Sequence, residues 1–296
     1  MKNWLIAARP RTLPLALSSI GMGAFLAAGQ GKFSLSIFSL LALTTVLLQV
    51  LSNFANDYGD FIHGADSDQR KGPSRLVQSG IISAQAMKRA MIITGIIALI
   101  SGIGLIYLAF GGLSLTFFLF MILGLLAIWA AISYTAGEKP YGYVGLGDIS
   151  VFIFFGLVGV CGSYYLFTGQ FLWMNLLPAI SCGVFSVGVL NLNNIRDIES
   201  DLLAGKRSIP IRLGRKLAVN YHGILLLFGI IASLAFQILN QANIQGYLFL
   251  LVLPLLAINF KAVRSKTKPQ DLDPYLKQLA LSTLLFVILF GLSQLT

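Results

Sequence analysis

The chain has 296 residues, of which 56% are hydrophobic and only 11% charged, with 21 Lys and Arg against 11 Asp and Glu. A soluble domain carries about 25% charged residues, so a soluble globule, a disordered chain and a collagen-like repeat are all excluded. The net charge of +10 leaves nucleic acid open as a partner until the positions of the charges are considered.

Apolar runs of roughly 20 residues cross a bilayer core of about 30 Å. Nine are predicted in chain order: Arg11–Ala28, Leu35–Asn56, Ala90–Phe110, Leu115–Tyr134, Ile149–Thr168, Leu172–Asn193, Leu217–Leu239, Ile244–Phe260 and Leu279–Leu295. The eighth is short and carries Pro254. In lipid the backbone must satisfy its own polar groups, which runs of this length do as α-helices. The short alternating segments of a β-barrel are absent from the sequence. The predicted fold class is therefore an all-α polytopic membrane protein, one integral-membrane domain over residues 1–296. Cys161 and Cys182 sit in apolar runs and read as packing, with no disulfide framework and no Cys-x-x-Cys metal site. A cleavable signal peptide is not expected, because the first run opens on Arg9-Pro10-Arg11-Thr12-Leu13-Pro14 and has no cleavage site.

The connections alternate in character. Gly29–Ser34, Gly111–Ser114, Gly169–Phe171 and Asn240–Ile244 are short and carry one charge, Lys32. The N-terminus and the other four connections, with their flanks, hold every other base and all 11 acids. Basic short loops mark the cytoplasmic side, so the N-terminus is predicted inside and the C-terminus outside. The positive charge thus reads as a topology signal rather than a nucleic-acid surface. The acids have no such reason to share that face, because Asp and Glu contribute little to orientation. Their confinement points to chemistry that needs carboxylates.

Two stretches, about residues 56–89 and 193–216, concentrate these groups. The first, with Asn53 just before it, contains Asn56, Asp57, Asp60, Asp66 and Asp68, and the second Asn193, Asp197 and Asp201. Asn56 and Asp60, and likewise Asn193, Asp197 and Asp201, follow at i, i+4 and share one helix face. Stacked carboxylates repel unless a cation lies between them, and an oxygen-only cluster suits Mg²⁺ bridged to substrate phosphates. Bases follow each stretch: Arg70, Lys71 and Arg75 in the first, Lys206, Arg207 and Arg212 in the second. Acids for a metal beside bases for an anion suit a phosphate ester. The plainer reading, solvated loops with Asp at helix ends, fits poorly because helix C-termini disfavour acids. The half-chain spacing of the two stretches reads as a weak internal repeat.

A third polar segment runs from Tyr134 to Asp148. Its tyrosines, Tyr134, Tyr141 and Tyr143, with Lys139, read either as a pocket for an aromatic species or as an interfacial tyrosine belt. Asp148 reads as a helix cap, and Arg9 and Arg11 as interfacial anchors by default. His63 and His222 read as bystanders.

Together these residues resemble the UbiA superfamily of intramembrane prenyltransferases. The resemblance covers nearly the whole chain. It rests on Ala8-Arg9-Pro10-Arg11-Thr12, Asn56-Asp57-Tyr58-Gly59-Asp60, Gly72-Pro73-Ser74-Arg75 with Gln78-Ser79-Gly80, Tyr134-Thr135, Gly145-Leu146-Gly147-Asp148, and Asn193-Asn194-Ile195-Arg196-Asp197 with Gly205-Lys206-Arg207. Two departures matter. Asp60 and Asp66 are six apart where the broad pattern is Asp-x-x-x-Asp, and the Tyr-Pro-x-x-Lys-Arg element of 4-hydroxybenzoate enzymes is replaced by Tyr134-Thr135-Ala136-Gly137-Glu138-Lys139. The match is nearest to members acting on 1,4-dihydroxy-2-naphthoate.

The resemblance implies nine helices around a central cavity, Mg²⁺ as cofactor, and a polyprenyl diphosphate and 1,4-dihydroxy-2-naphthoate as substrates. It implies that Asn56 and Asp60, with Asp66 or the nearby Asp68, hold one Mg²⁺ and Asp197 and Asp201 another, with Asn193 beside them. Arg75, Lys206 and Arg207 then clamp the diphosphate, and Arg11, Tyr134 and Lys139 orient the aromatic acid. Asn53 and Asp57 join the substrate-binding set. Three other readings stand beside this one. A secondary transporter would place its charges near the bilayer midplane. A CDP-alcohol phosphotransferase would carry Asp-Gly-x-x-Ala-Arg. Another UbiA-type enzyme would take a different aromatic acceptor.

Overall fold

The computed structural model describes residues 1–64 and 75–295. Among them, nine helices are long and apolar enough to cross a membrane: α1 Lys2–Ala28, α2 Leu35–Ile62, α3 Ala84–Phe110, α4 Leu115–Ser133, α5 Gly147–Thr168, α6 Trp173–Arg196, α7 Ile209–Leu239, α8 Ile244–Ser265 and α9 Pro269–Leu292. The protein is an all-α, multi-pass membrane protein, as the apolar runs predict. A short helix, Ile198–Leu203, follows α6.

Local sequence sets the ends of these helices. Ser34, Ser83 and Ser114 cap α2, α3 and α4, each accepting a hydrogen bond from the backbone N–H three residues on. Gly111 and Gly169 end α3 and α5 in the left-handed conformation that glycine adopts without strain. Pro254 divides α8 into a 3₁₀ stretch, Ile244–Val252, and an α-helix, Leu253–Ser265, that carries the proline in its first turn.

The main differences from the predicted spans lie at the charged ends. Helix α2 runs to Ile62 rather than Asn56, α3 starts at Ala84 rather than Ala90, α7 starts at Ile209 rather than Leu217, and α9 starts at Pro269 rather than Leu279. Hydropathy marks where a helix leaves the apolar layer, whereas backbone hydrogen bonding continues beyond it. Asn56, Asp57 and Asp60 are therefore helical residues, not loop residues.

Helix α1 lies among α2, α5, α6 and α9, α6 packs between α5 and α7, and α3 and α4 pack on α2. The core joins α1, α5, α6, α7, α8 and α9 and contains edge-on rings, with Phe185 and Phe286 centroids 5.0 Å apart and Phe249 and Phe286 5.7 Å apart. The outer faces of α3 and α4 expose Ile92, Ile96, Ile100, Leu119, Ile122 and Leu126. In lipid such a surface meets apolar tails rather than water.

Candidate active site

The helices enclose a cavity of about 890 Å³. Leu41 of α2, Leu105 of α3, Phe120 of α4 and Phe154 and Val158 of α5 are among its apolar walls. Asn56, Asp60, Arg75, Asn193, Asp197, Asp201 and Lys206 also line it. The ends of α2 and α6 bring the two predicted motifs together there.

Asp60 meets Arg75, Tyr143 and Lys206. It pairs with Arg75, and both side chains are nearly fully buried. Its Oδ1 accepts a hydrogen bond from the Tyr143 hydroxyl at 2.7 Å and lies 3.4 Å from Lys206 Nζ. Lys206 Nζ also lies 3.0 Å from Asp201 Oδ1 and 4.9 Å from the Tyr143 ring centroid, over its face. One ammonium therefore bridges carboxylates from motifs half a chain apart. Burial pushes the Asp201 carboxyl above the ordinary carboxylate range, and the Lys206 charge pulls against that rise.

Asp197 is held differently. Arg196 Nε donates to its Oδ1 at 2.8 Å and Nη2 to its Oδ2 at 2.6 Å. Nη2 also donates to Asn193 Oδ1 at 2.8 Å. Neighbouring side chains on a continuous helix do not face each other. Here α6 ends at Arg196, and Asp197 leaves helical geometry at φ −98°, ψ 12°. That turn brings its carboxylate back onto the guanidinium.

The Tyr134-to-Asp148 segment supplies another part of the wall. Tyr134, Tyr141 and Tyr143 all line the cavity, and so does Asp148. The Tyr134 hydroxyl lies so close to Gly147 that a Cβ there would approach it to 2.8 Å. Burial, with the carboxylates of Asp148, Asp201 and Asp60 nearby, pushes the Tyr134 phenol far up, so it stays neutral. Thr135 donates from its hydroxyl to Asn56 Oδ1 at 2.7 Å. Its carbonyl passes directly over Gly59 of α2, where any Cβ would collide with it. The sequence Asn56-x-x-Gly59 thus lets the segment cross α2 and reach the motif.

The remaining candidate residues sit in different places. Lys139 and Arg207 are exposed and do not line the cavity. The turn at Glu138–Lys139 faces outward, and Arg207 is held by its backbone, its N–H donating to Tyr143 O at 2.8 Å. Asp57 is buried but is not in the cavity wall. Its Oδ2 accepts the Leu76 N–H at 3.3 Å, which ties the segment after Arg75 to α2. Asp148 is not a cap, because it lies inside the first turn of α5 and accepts from the Tyr221 hydroxyl at 2.9 Å. Asn53 lines the cavity, but its amide donates to Ala8 O at 2.9 Å and Thr12 Oγ1 at 3.0 Å. It therefore braces the break in α1, where Arg9 adopts a left-handed backbone at φ 49°. Arg9 and Arg11 line the cavity as well. Asp66 lies outside the described residues. Arg196 was not singled out from the sequence. Its i, i+3 spacing from Asn193 was the available signal.

The donor set fits a hard divalent cation. Its side-chain donors are carboxylate and amide oxygens, and Lys206 shows that one cation reaches both Asp60 and Asp201. Among the described residues no three His, Cys, Asp or Glu side chains cluster tightly enough to hold a metal by themselves. Mg²⁺ takes one or two carboxylates and completes its shell with water and substrate phosphate.

Fold and cavity define the class: a polytopic membrane protein with an apolar chamber and a charge-dense region built from two acidic motifs. The pattern of the UbiA prenyltransferase family matches residues 16–290, and the chain belongs to that family. Membership sets aside the transporter and CDP-alcohol phosphotransferase readings. A Haemophilus influenzae protein named 1,4-dihydroxy-2-naphthoate octaprenyltransferase is 48% identical over 100% of this chain and 96% of that one. An Escherichia coli protein of the same name is 44% identical over 98% and 96%. Among solved structures, the apo form of a UbiA homologue from Aeropyrum pernix K1 superposes with a TM-score of 0.69 at 18% identity, over 95% of this chain and 96% of that one. A UbiA homologue from Archaeoglobus fulgidus bound to DMAPP and Mg²⁺ gives 0.66 at 16% identity, over 99% and 98%.

Proposed function

We propose that the protein transfers a polyprenyl group from an allylic diphosphate to 1,4-dihydroxy-2-naphthoate, releasing diphosphate and CO₂ and giving demethylmenaquinol. The observation that carries this reading is the convergence of Asp60 and Asp201 on Lys206 beside an apolar chamber. An amphipathic donor needs both a charged seat for its head and an apolar channel for its tail. The acceptor follows from the full-length identity to proteins named for dihydroxynaphthoate.

In this reading Asn56 and Asp60, with Asp66 or Asp68, would hold one Mg²⁺, and Asp197 and Asp201 a second with Asn193. Bound Mg²⁺ supplies Lewis-acid neutralisation of the departing diphosphate. Arg75 and Lys206 bind its outer oxygens as positive charges. Tyr143 keeps Asp60 oriented through its hydroxyl. The apolar walls exclude water from the allylic carbon once its bond to oxygen breaks. The ring carbon bearing the carboxylate forms the new C–C bond, and CO₂ leaves with its bonding electrons returned to the ring. Arg11 and Tyr134, both lining the cavity, orient the acceptor carboxylate. The acidic motifs face the cytoplasm of the inner cell membrane, and the C-terminus lies outside. This places the soluble naphthoate on the side where it arrives.

The test is a reaction of purified protein with a polyprenyl diphosphate, dihydroxynaphthoate and Mg²⁺. Prenylated naphthoquinol and CO₂ should form in equal amounts. Prenylation of 4-hydroxybenzoate in place of dihydroxynaphthoate would show that the acceptor is misassigned.

A further inference from the structure

Arg196 has a second carboxylate partner, from the far end of the chain. Its Nη1 donates to Asp273 Oδ1 at 2.6 Å. Asp273 lies in the first turns of α9, 77 residues away. Its other oxygen, Oδ2, lies 3.3 Å from Arg11 Nη1. The Arg196 side chain is 2% exposed, so its charge must be balanced by protein groups rather than water. Four hydrogen bonds of 2.6–2.8 Å divide its N–H groups among Asp197, Asn193 and Asp273. Each guanidinium edge is thus committed, and the planar fork fixes the direction of the Asp197 carboxylate.

We infer that Asp273 is a positioning residue that shares the charge of Arg196 and so leaves Asp197 able to bind a divalent cation. The inference rests on the reading of Asp197 as a metal ligand. One guanidinium between two carboxylates leaves the trio with a net negative charge, partly offset by Arg11. Removing the Asp273 charge turns the trio neutral. Arg196 then competes with the metal for Asp197, and Arg11 loses its tie to α9. Outer partners of metal ligands are worth about 10–100-fold in metal affinity.

The experiment measures Mn²⁺ binding by electron paramagnetic resonance, with inorganic diphosphate present, on the purified full-length protein in detergent. Asp273→Asn keeps the shape and removes the charge, and should weaken Mn²⁺ about 10-fold. Asp273→Glu should restore most of that loss. In turnover assays the Mg²⁺ requirement should rise in the asparagine variant while kcat at saturating Mg²⁺ changes far less. Asp273→Ser carries the same expectation if the asparagine variant is not recovered folded. Unchanged Mn²⁺ affinity in the uncharged variants, whatever happens to Tm, would overturn the inference and leave a purely structural clasp. A wild-type protein that binds no Mn²⁺ with diphosphate, or an Asp197→Asn variant that binds like wild type, would overturn the metal reading itself and this inference with it.

Discussion

Lys206 Nζ lies 3.0 Å from Asp201 Oδ1, in the same motif, while also reaching Asp60 on α2. The pair links the two halves of the site through one movable charge. An ammonium on a flexible stem can leave the carboxylates and follow the diphosphate when a divalent ion takes its place. Lys206→Met should therefore lower kcat/KM for the donor by about 10²-fold and leave the acceptor KM nearly unchanged. Steady-state kinetics with each substrate varied in turn will separate the two. Equal losses for both substrates would move Lys206 away from the diphosphate.

Asp60 and Asp197 carry the heaviest load in the proposed chemistry. Asp60→Asn and Asp197→Asn should each reduce turnover by at least about 10²-fold while the protein still elutes as a folded species in detergent. Asp60 also pairs with the buried Arg75; asparagine removes the charge but keeps a hydrogen-bond acceptor for the guanidinium, whereas leucine removes both. Asp60→Leu should therefore lower Tm well below that of the asparagine variant, as differential scanning fluorimetry would show. Chelation by EDTA should stop wild-type turnover, and added Mg²⁺ should restore it. Turnover that survives EDTA would exclude the metal-dependent scheme.

Lys139 and Arg207 provide the opposite test. Both are basic residues of the polar segments, yet both are exposed and outside the cavity wall. Lys139→Ala and Arg207→Ala should each retain kinetics within about threefold of wild type, the range of exposed substitutions worth under about 0.5 kcal/mol. A large rise in the acceptor KM for Lys139→Ala would return that lysine to the aromatic-acid site.

Gly59 is a packing constraint that also serves the site. A Cβ there collides with the Thr135 backbone, whose side chain bonds Asn56. Gly59→Ala should destabilise by about 1–3 kcal/mol and lower activity by displacing Asn56. Gly104→Ala is the control, because a Cβ there meets nothing within 4 Å. Its Tm should stay level or rise, as alanine favours a helix more than glycine does. Thermal melts of both variants in one detergent will check the contrast.

Much of the site was legible because helix geometry is periodic. Asn56 and Asp60 at i, i+4 share a face wherever the helix ends, and nine apolar runs need only length and hydropathy to be recognised as membrane helices. Charge asymmetry likewise survives in one dimension. Tertiary structure decided which of those charges meet. The path of the Tyr134-to-Asp148 segment over Gly59 turned the three tyrosines inward and Lys139 outward. The end of α6 at Arg196 folded Asp197 back onto its neighbour. The packing of α9 on α1 and α6 brought Asp273 to Arg11 and Arg196. Spacing within one helix is set by the covalent chain and its hydrogen bonds. Contacts between helices depend on how the interior packs, and no local pattern in the sequence encodes that.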